Sequence, residues 1–134
     1  MSRVVHFEIH TKDMDMMEKF YKDAFGWEFQ HMGQDLGGYR VIVTGTTPQG
    51  INGGLTPRKG DLPKPGDAVN AYVCIIGTGN IDESIKKIET AGGTVALAKM
   101  DVPKVGLLAY YKDPEGNLFG VIQPDPASMP TPEK

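Results

Sequence analysis

Residues 5–26 read VHFEIHTKDMDMMEKFYKDAFG, and in this segment a strand pattern runs directly into a helix with a start and a stop signal. The first six residues alternate apolar and polar side chains, which is typical of a strand with one apolar face. Asp13 stands where a helix N-cap belongs, and Gly26 stands where a helix ends. The segment therefore predicts a strand followed by a helix of about three turns.

The same strand–helix pattern returns in the second half of the chain. Asn80 takes the position of Asp13 and Gly93 that of Gly26, each 67 residues later. Three strand candidates follow each helix, so the order is βαβββ twice, as expected for an internal repeat. The predicted strands are residues 3–10, 27–32, 39–44, 51–55, 69–76, 94–97, 106–112 and 117–123.

This order predicts one α+β domain over residues 1–123 of the 134. Module one is predicted at 1–56 and module two at 69–123. The linker, residues 57–68, is rich in Pro, Gly and Lys, and its charged residues are expected to be solvated. Residues 124–134 contain four prolines and no apolar periodicity, so they are expected to form a mobile tail.

Composition argues against several classes of protein. Lys and Arg number 14 and Asp and Glu 17, giving a net charge of −3, which is unfavourable for binding nucleic acid or an anionic membrane. No apolar stretch approaches the roughly 20 residues of a membrane span, and the start lacks the apolar run of a signal peptide. The single cysteine, Cys74, excludes an internal disulfide framework. A soluble, cytoplasmic protein is expected.

Three motifs resemble the vicinal oxygen chelate superfamily, also called the glyoxalase/bleomycin resistance/dioxygenase superfamily. They are His-Phe-Glu-Ile at 6–9, Phe-Tyr-x-x-x-Phe-Gly-Trp at 20–27, and Asp-Pro-Glu-Gly-Asn at 113–117. The resemblance covers residues 3–123. It implies two βαβββ modules whose eight strands form a curved, cup-like sheet around a ligand, with the helices outside. It also implies a homodimer.

The resemblance further implies four positions from which a divalent metal is ligated. In this sequence they hold His6, Gly54, Ala71 and Gly120, and of these four only His6 has a donor atom in its side chain. Divalent first-row metals require three or four converging N or O donors. No metal site and no cofactor are therefore predicted, although a divalent metal is disfavoured rather than excluded.

Eight residues are candidates for contacting a small-molecule ligand. His6 and Glu8 lie two apart and share a face of the first strand, where they would either act as a general base or hydrogen-bond each other and be inert. Either Tyr39 or Arg40 should face the cup, and an inward Arg40 would favour an anionic ligand. The full set is His6, Glu8, Tyr39, Arg40, Asn52, Gly54, Tyr110 and Gly120.

Three functions are compatible with these residues. The first is a binding protein that sequesters or senses a small ligand without a metal. The second is a metal-dependent lyase, isomerase or dioxygenase of the glyoxalase I class. The third is a metal-free acid–base enzyme with His6, Glu8 and Tyr110 as catalytic candidates. The missing metal ligands favour the first, and the sequence leaves open both the ligand and whether any reaction is catalysed.

Overall fold

A computed structural model describes residues 2–126, apart from the side chain of residue 35. It contains two α-helices, eight strands and a short 3₁₀ turn at Gln34–Leu36. In module one the elements are β1 (Phe7–Thr11), α1 (Met14–Phe25), β2 (Glu28–His31), β3 (Arg40–Val43) and β4 (Gly53–Pro57). In module two they are β5 (Ile75–Gly77), α2 (Ile81–Thr90), β6 (Thr94–Val102), β7 (Gly106–Lys112) and β8 (Leu118–Pro124).

The strands form two four-stranded sheets with the same topology. Sheet one has the order β1-β4-β3-β2 and sheet two the order β5-β8-β7-β6. In each sheet the first strand pairs in parallel with the fourth, and the other pairs are antiparallel. The α+β architecture of two βαβββ modules is therefore confirmed.

Local sequence signals place both helices. The Asp13 side chain accepts a hydrogen bond from the Met16 N–H and caps α1, and Gly26 ends that helix at φ 73°, a left-handed conformation that glycine adopts without strain. The Asn80 side chain caps α2 by accepting from the Glu83 N–H. Both predicted helix starts are confirmed.

Helix α1 packs its apolar face into a core shared by both modules. The Tyr21 ring stacks on Trp27 at 5.0 Å between centroids, and Phe20 contacts Phe119 of sheet two at 6.2 Å. Phe20 and Tyr21 are each 2% exposed, and Trp27 is 8% exposed. Aromatic side chains of this size dominate core energetics, so this contact holds the modules together.

Strand pairing corrects several predicted boundaries. The strand expected at residues 69–76 is wrong over most of its length, because β8 begins only at Leu118 and pairs with β5 from Ile75 onward. Residues 69–74 lie outside any strand, and the Tyr72 side chain is fully exposed. Residues 3–6 likewise precede β1, since β4 pairs with β1 only from Gly53. Strand β6, expected to end at Leu97, instead follows β7 as far as Val102, with two register irregularities.

The predicted mobile tail begins inside β8, because Pro124 still pairs with Gly106. From residue 127 onward, the tail prediction lies outside the described residues. No described helix combines the length and the apolarity that crossing a membrane requires.

Candidate functional site

Each sheet has a buried face toward the helices and a second face, here called the open face, turned away from them. In sheet one, Ile42 and Leu55 are fully buried on the helix side. Strand side chains alternate between faces, so Gly54 belongs to the open face. The register places Glu8 and Val41 on either side of Gly54, because these three residues are cross-strand partners.

The open face of sheet one carries a cluster of His6, Glu8 and Tyr39 beside Gly54, which we call the module-one cluster. The His6 Nε2 atom and the Tyr39 hydroxyl share a hydrogen bond of 2.7 Å. The phenol lies directly over Gly54, and a Cβ built on that glycine would overlap the Tyr39 hydroxyl and ring. Glycine is therefore required at position 54 as long as Tyr39 keeps this position.

The surroundings of Tyr39 disfavour ionisation of its phenol. Burial raises its pKa, and the negative charge of Glu8 and a hydrogen bond with that carboxylate raise it further. A neutral phenol can donate one hydrogen bond and accept others. The cluster therefore presents an imidazole, a phenol and a carboxylate that can exchange hydrogen bonds with a polar group of a ligand.

Arg40 lies on the opposite face from Tyr39. Its Nη2 atom donates to Asp15 at 2.9 Å and its Nη1 atom to Glu18 at 3.3 Å, both in α1. The Arg40 side chain is only 15% exposed. Of the two alternatives at 39 and 40, the structure places Tyr39 on the open face. The guanidinium that would favour an anionic ligand is engaged with the helix.

The Asn52 side chain stabilises the loop before β4. Its Oδ1 atom accepts a hydrogen bond from the Thr44 N–H at 3.0 Å, and the Thr44 hydroxyl donates to the Ile51 carbonyl at 2.8 Å. These bonds tie together the two ends of the segment that connects β3 to β4. The structure therefore does not bring the Asn52 carbonyl oxygen into the module-one cluster.

The open face of sheet two is apolar around a second tyrosine. Tyr110 is the cross-strand partner of Gly120, and Ile75 flanks Gly120 on the other side. A Cβ on Gly120 would overlap the end of the Ile75 side chain and lie 3.2 Å from the Tyr110 ring. The register places further apolar side chains on the same face: Leu97, Leu108 and Ile122.

The residues present do not fit a divalent-metal centre. Gly54 and Gly120 have no side-chain donor, and their flanking side chains leave no room for one. Ala71 lies in the irregular segment before β5. Within residues 2–126, no three His, Cys, Asp or Glu side chains are grouped so that they could hold a metal ion.

Sequence reasoning missed a buried polar group, here called the clasp, that joins the modules: Thr11, Arg58, Asp113, Glu115 and Asn117. Glu115 accepts hydrogen bonds from the Lys12 and Asp13 N–H groups at 2.7 Å each. Arg58 donates to the His10 carbonyl at 2.9 Å and to the Asn117 side chain at 2.7 Å.

Arg58 was expected in a solvated linker, and this is wrong. Its side chain is 14% exposed, and its Nε atom lies 3.8 Å from Glu115. The signal that could have revealed the clasp is the turn at 113–117, where two carboxylates stand two residues apart next to a core strand. Buried carboxylates need partners, and the β1–α1 corner supplies them.

Comparisons with known proteins agree with this architecture. A family model described as the Glyoxalase/Bleomycin resistance protein/Dioxygenase superfamily matches residues 3–121. The putative glyoxylase CFP32 of Mycobacterium tuberculosis (strain CDC 1551 / Oshkosh) is 31% identical over 120 residues, covering 89% of this chain and 43% of that protein. The chain thus spans less than half the length of this curated relative.

Two solved structures share the fold at low sequence identity. The antibiotic binding protein TnmS3 from Streptomyces sp. CB03234 superposes with a TM-score of 0.65 at 20% identity, over 93% of this chain and 98% of that one. The second structure is a mutant of the fosfomycin resistance protein FosX from Listeria monocytogenes, complexed with Mn(II). It superposes with a TM-score of 0.71 at 17% identity, over 96% of this chain and 94% of that one. Because the family model matches residues 3–121, nearly the whole chain, this protein belongs to the glyoxalase/bleomycin resistance protein/dioxygenase superfamily.

Proposed function

We propose that this protein binds a small organic molecule on the open faces of its two sheets, without a divalent metal. The observation that carries the proposal is the position of Tyr39. Its hydroxyl lies over Gly54 and bonds to His6 at 2.7 Å, at two positions where metal-binding relatives are expected to hold ligands. A hydrogen-bonding group therefore stands where a metal centre would need donors.

The contrast between the two open faces suggests what the ligand looks like. Sheet one offers the polar module-one cluster, and sheet two offers Tyr110 among aliphatic side chains. Ligand sites typically combine apolar walls with a few polar groups that fix orientation. A largely apolar molecule with a hydrogen-bonding edge could pack against sheet two and form hydrogen bonds with sheet one.

The known proteins support a binding function of this kind. TnmS3 is described as an antibiotic binding protein and shares the fold over nearly the full length of both chains. Retention of an organic compound, rather than its chemical conversion, is the activity that needs only the surfaces described above. The homodimer implied by the resemblance and the cytoplasmic location expected from the composition remain part of this proposal.

A metal-free acid–base enzyme is a second candidate, favoured by the hydrogen bond between His6 and Tyr39. The sequence suggested His6, Glu8 and Tyr110 as the catalytic set. The structure instead groups Tyr39 with His6 and Glu8, while Tyr110 contacts Gly120 in the other sheet. A histidine and a carboxylate that both interact with one phenol can pass a proton to and from a bound substrate.

Native mass spectrometry of the purified protein, with neither metal nor chelator added, tests the proposal. We expect either a bare chain or homodimer, or one that carries an organic adduct. Any adduct, or any compound found by screening largely apolar antibiotics that carry hydrogen-bonding groups, should bind about two- to tenfold more weakly to Tyr39→Phe, which lacks only the hydroxyl. Arg40→Ala is the matched control, because Arg40 lies on the helix face.

Two outcomes would count against the proposal. One stoichiometric transition-metal ion retained per chain would contradict a metal-free site. Equal binding of a ligand by wild type and Tyr39→Phe would show that the module-one cluster is not part of the binding surface. Consumption of a bound compound by wild type but not by His6→Ala would favour the acid–base enzyme.

A further inference from the structure

The position of Tyr39 has two separate effects on metal binding by module one. The phenol occupies the space that any side chain at residue 54 would enter, since a Cβ there would overlap its hydroxyl. The same hydroxyl holds His6 Nε2 at 2.7 Å. A histidine coordinates a metal through the lone pair of a ring nitrogen, so this nitrogen must leave Tyr39 before it can bind a metal.

The surrounding backbone is otherwise arranged to bring donors together. Glu8 is the cross-strand partner of Gly54, and His6 lies two residues before Glu8 on the same face. A donor side chain at residue 54 would therefore have a carboxylate and an imidazole as neighbours. Three such groups are the number that a divalent metal requires from a protein.

We infer that Tyr39 determines what module one can hold: its phenol keeps His6, Glu8 and residue 54 from forming a metal site and leaves a hydrogen-bonding site for a polar group of an organic ligand. The part about the ligand rests on the function proposed above. The part about the metal stands on the geometry of residues 6, 8, 39 and 54 alone.

Module two provides a matched control. At residue 120 the side chain that would overlap a Cβ is Ile75, while the Tyr110 ring lies 3.2 Å away, and neither residue carries a carboxylate. Removing Ile75 and adding an imidazole at residue 120 would therefore free space without assembling donors. A gain of metal binding confined to module one would show that Tyr39 suppresses a specific set of ligands.

The test uses Co²⁺ alone as the probe, with visible absorption and calorimetry as readouts. The variants are Gly54→His, Tyr39→Ala, the double variant Tyr39→Ala/Gly54→His, and the control Ile75→Ala/Gly120→His. We expect the double variant to bind Co²⁺ at least about tenfold more tightly than either single variant, a difference of about 1.4 kcal/mol. The control pair should bind no more tightly than wild type.

The outcomes separate this inference from the proposed function. If Gly54→His alone binds Co²⁺ as tightly as the double variant, Tyr39 is not the obstacle and the inference fails, whereas the metal-free function of the wild type is untouched. If wild type itself binds Co²⁺ tightly, the proposed function fails. Circular dichroism identifies any variant that does not fold. In that case Tyr39→Ser/Gly54→Asp, with smaller side chains, replaces the double variant and faces the same criterion.

Discussion

The Glu115 carboxylate accepts a buried hydrogen bond of 2.8 Å from the Thr11 hydroxyl, 104 positions away in the chain. Glu115 belongs to the turn between β7 and β8, and Thr11 is the last residue of β1. The carboxylate also accepts hydrogen bonds from the Lys12 and Asp13 N–H groups, which lie just before the N-terminus of α1. The helix dipole favours a negative charge at this end of the helix. The turn of module two thus anchors the corner of module one.

We predict that Glu115→Gln lowers the free energy of unfolding by about 2 kcal/mol at pH 7, because it removes a charge that Arg58 and two N–H groups face. Burial alone would raise the pKa of Glu115, but hydrogen bonds from Asp13, Lys12 and Thr11 and the charge of Arg58 bring it below the ordinary 4.5. A carboxyl whose folded pKa is depressed stabilises the protein above its unfolded pKa.

The stability difference between wild type and Glu115→Gln should therefore shrink as the pH falls below about 4.5 and through the folded pKa. Urea unfolding between pH 7 and pH 3 measures it. Glu83→Gln is the control, since Glu83 forms an exposed pair with Lys87 at 3.4 Å. A difference that stays constant over this pH range would mean that the charge of Glu115 contributes nothing.

Adjacent glycines in β4 should respond differently to the same substitution. A Cβ on Gly53 would lie 2.5 Å from the Phe7 carbonyl oxygen, which is backbone and cannot move away without breaking the β1–β4 pairing. A Cβ on Gly54 would meet the end of the Tyr39 side chain, which can rotate. We predict that Gly53→Ala lowers the free energy of unfolding by more than about 2 kcal/mol, but Gly54→Ala by only about 1 kcal/mol.

Thermal or urea unfolding ranks the two variants. The His6 ring resonances provide the second measurement, since movement of the Tyr39 ring in Gly54→Ala should change the geometry of its hydrogen bond with His6 Nε2. Unchanged His6 resonances in a folded Gly54→Ala protein would show that Tyr39 does not lie over residue 54 in solution.

Tyr21→Phe is predicted to destabilise the protein by about 1.5–3 kcal/mol, because the Tyr21 hydroxyl donates a buried hydrogen bond of 2.7 Å to Asp113. Burial raises the pKa of Asp113, while hydrogen bonds from Asn117 and Tyr21 partly oppose that rise. Loss of the hydroxyl should raise the Asp113 pKa further. Carboxyl NMR titration measures this shift, and a lowered Asp113 pKa in Tyr21→Phe would contradict the proposed bond.

Arg40→Ala should lower the free energy of unfolding by about 1 kcal/mol, because Arg40 pairs with Glu18 and Asp15 of α1. It should leave the module-one cluster unchanged. Asp15 is 90% exposed, so that pair contributes little, whereas the Glu18 side chain is 16% exposed. Unfolding measurements with and without 1 M salt test this, since screening should reduce the difference. A change in the His6 resonances would place Arg40 near the open face instead.

Residues near one another in the chain allowed much of this fold to be predicted. The helix caps at Asp13 and Asn80 and the order of elements follow from periodicity and turn chemistry, which involve neighbours only. The strand predicted at residues 69–76 failed for the opposite reason. A strand also needs a partner, and because Ile75 pairs with Gly120, residues 69–72 would lie beyond the start of β8 at Leu118.

The candidate site could be predicted only in part. The sequence indicated that Tyr39 or Arg40 faces the cup, but the choice depends on the register of β3 against β4, where Val41 is paired with Gly54. A shift of one residue would have exchanged the two side chains between faces. The pairing of Tyr39 with His6 likewise joins positions 33 apart in the chain.

Residue type and local spacing were enough to predict the two βαβββ modules and the caps of both helices. The resemblance to the family added the four expected metal positions, three of which hold no donor side chain in this sequence. The folded chain was needed to show that Tyr39 fills the space over Gly54 and that Glu115 joins the modules through Thr11. Both contacts depend on strand register and on packing between distant segments, and no local pattern encodes either of them.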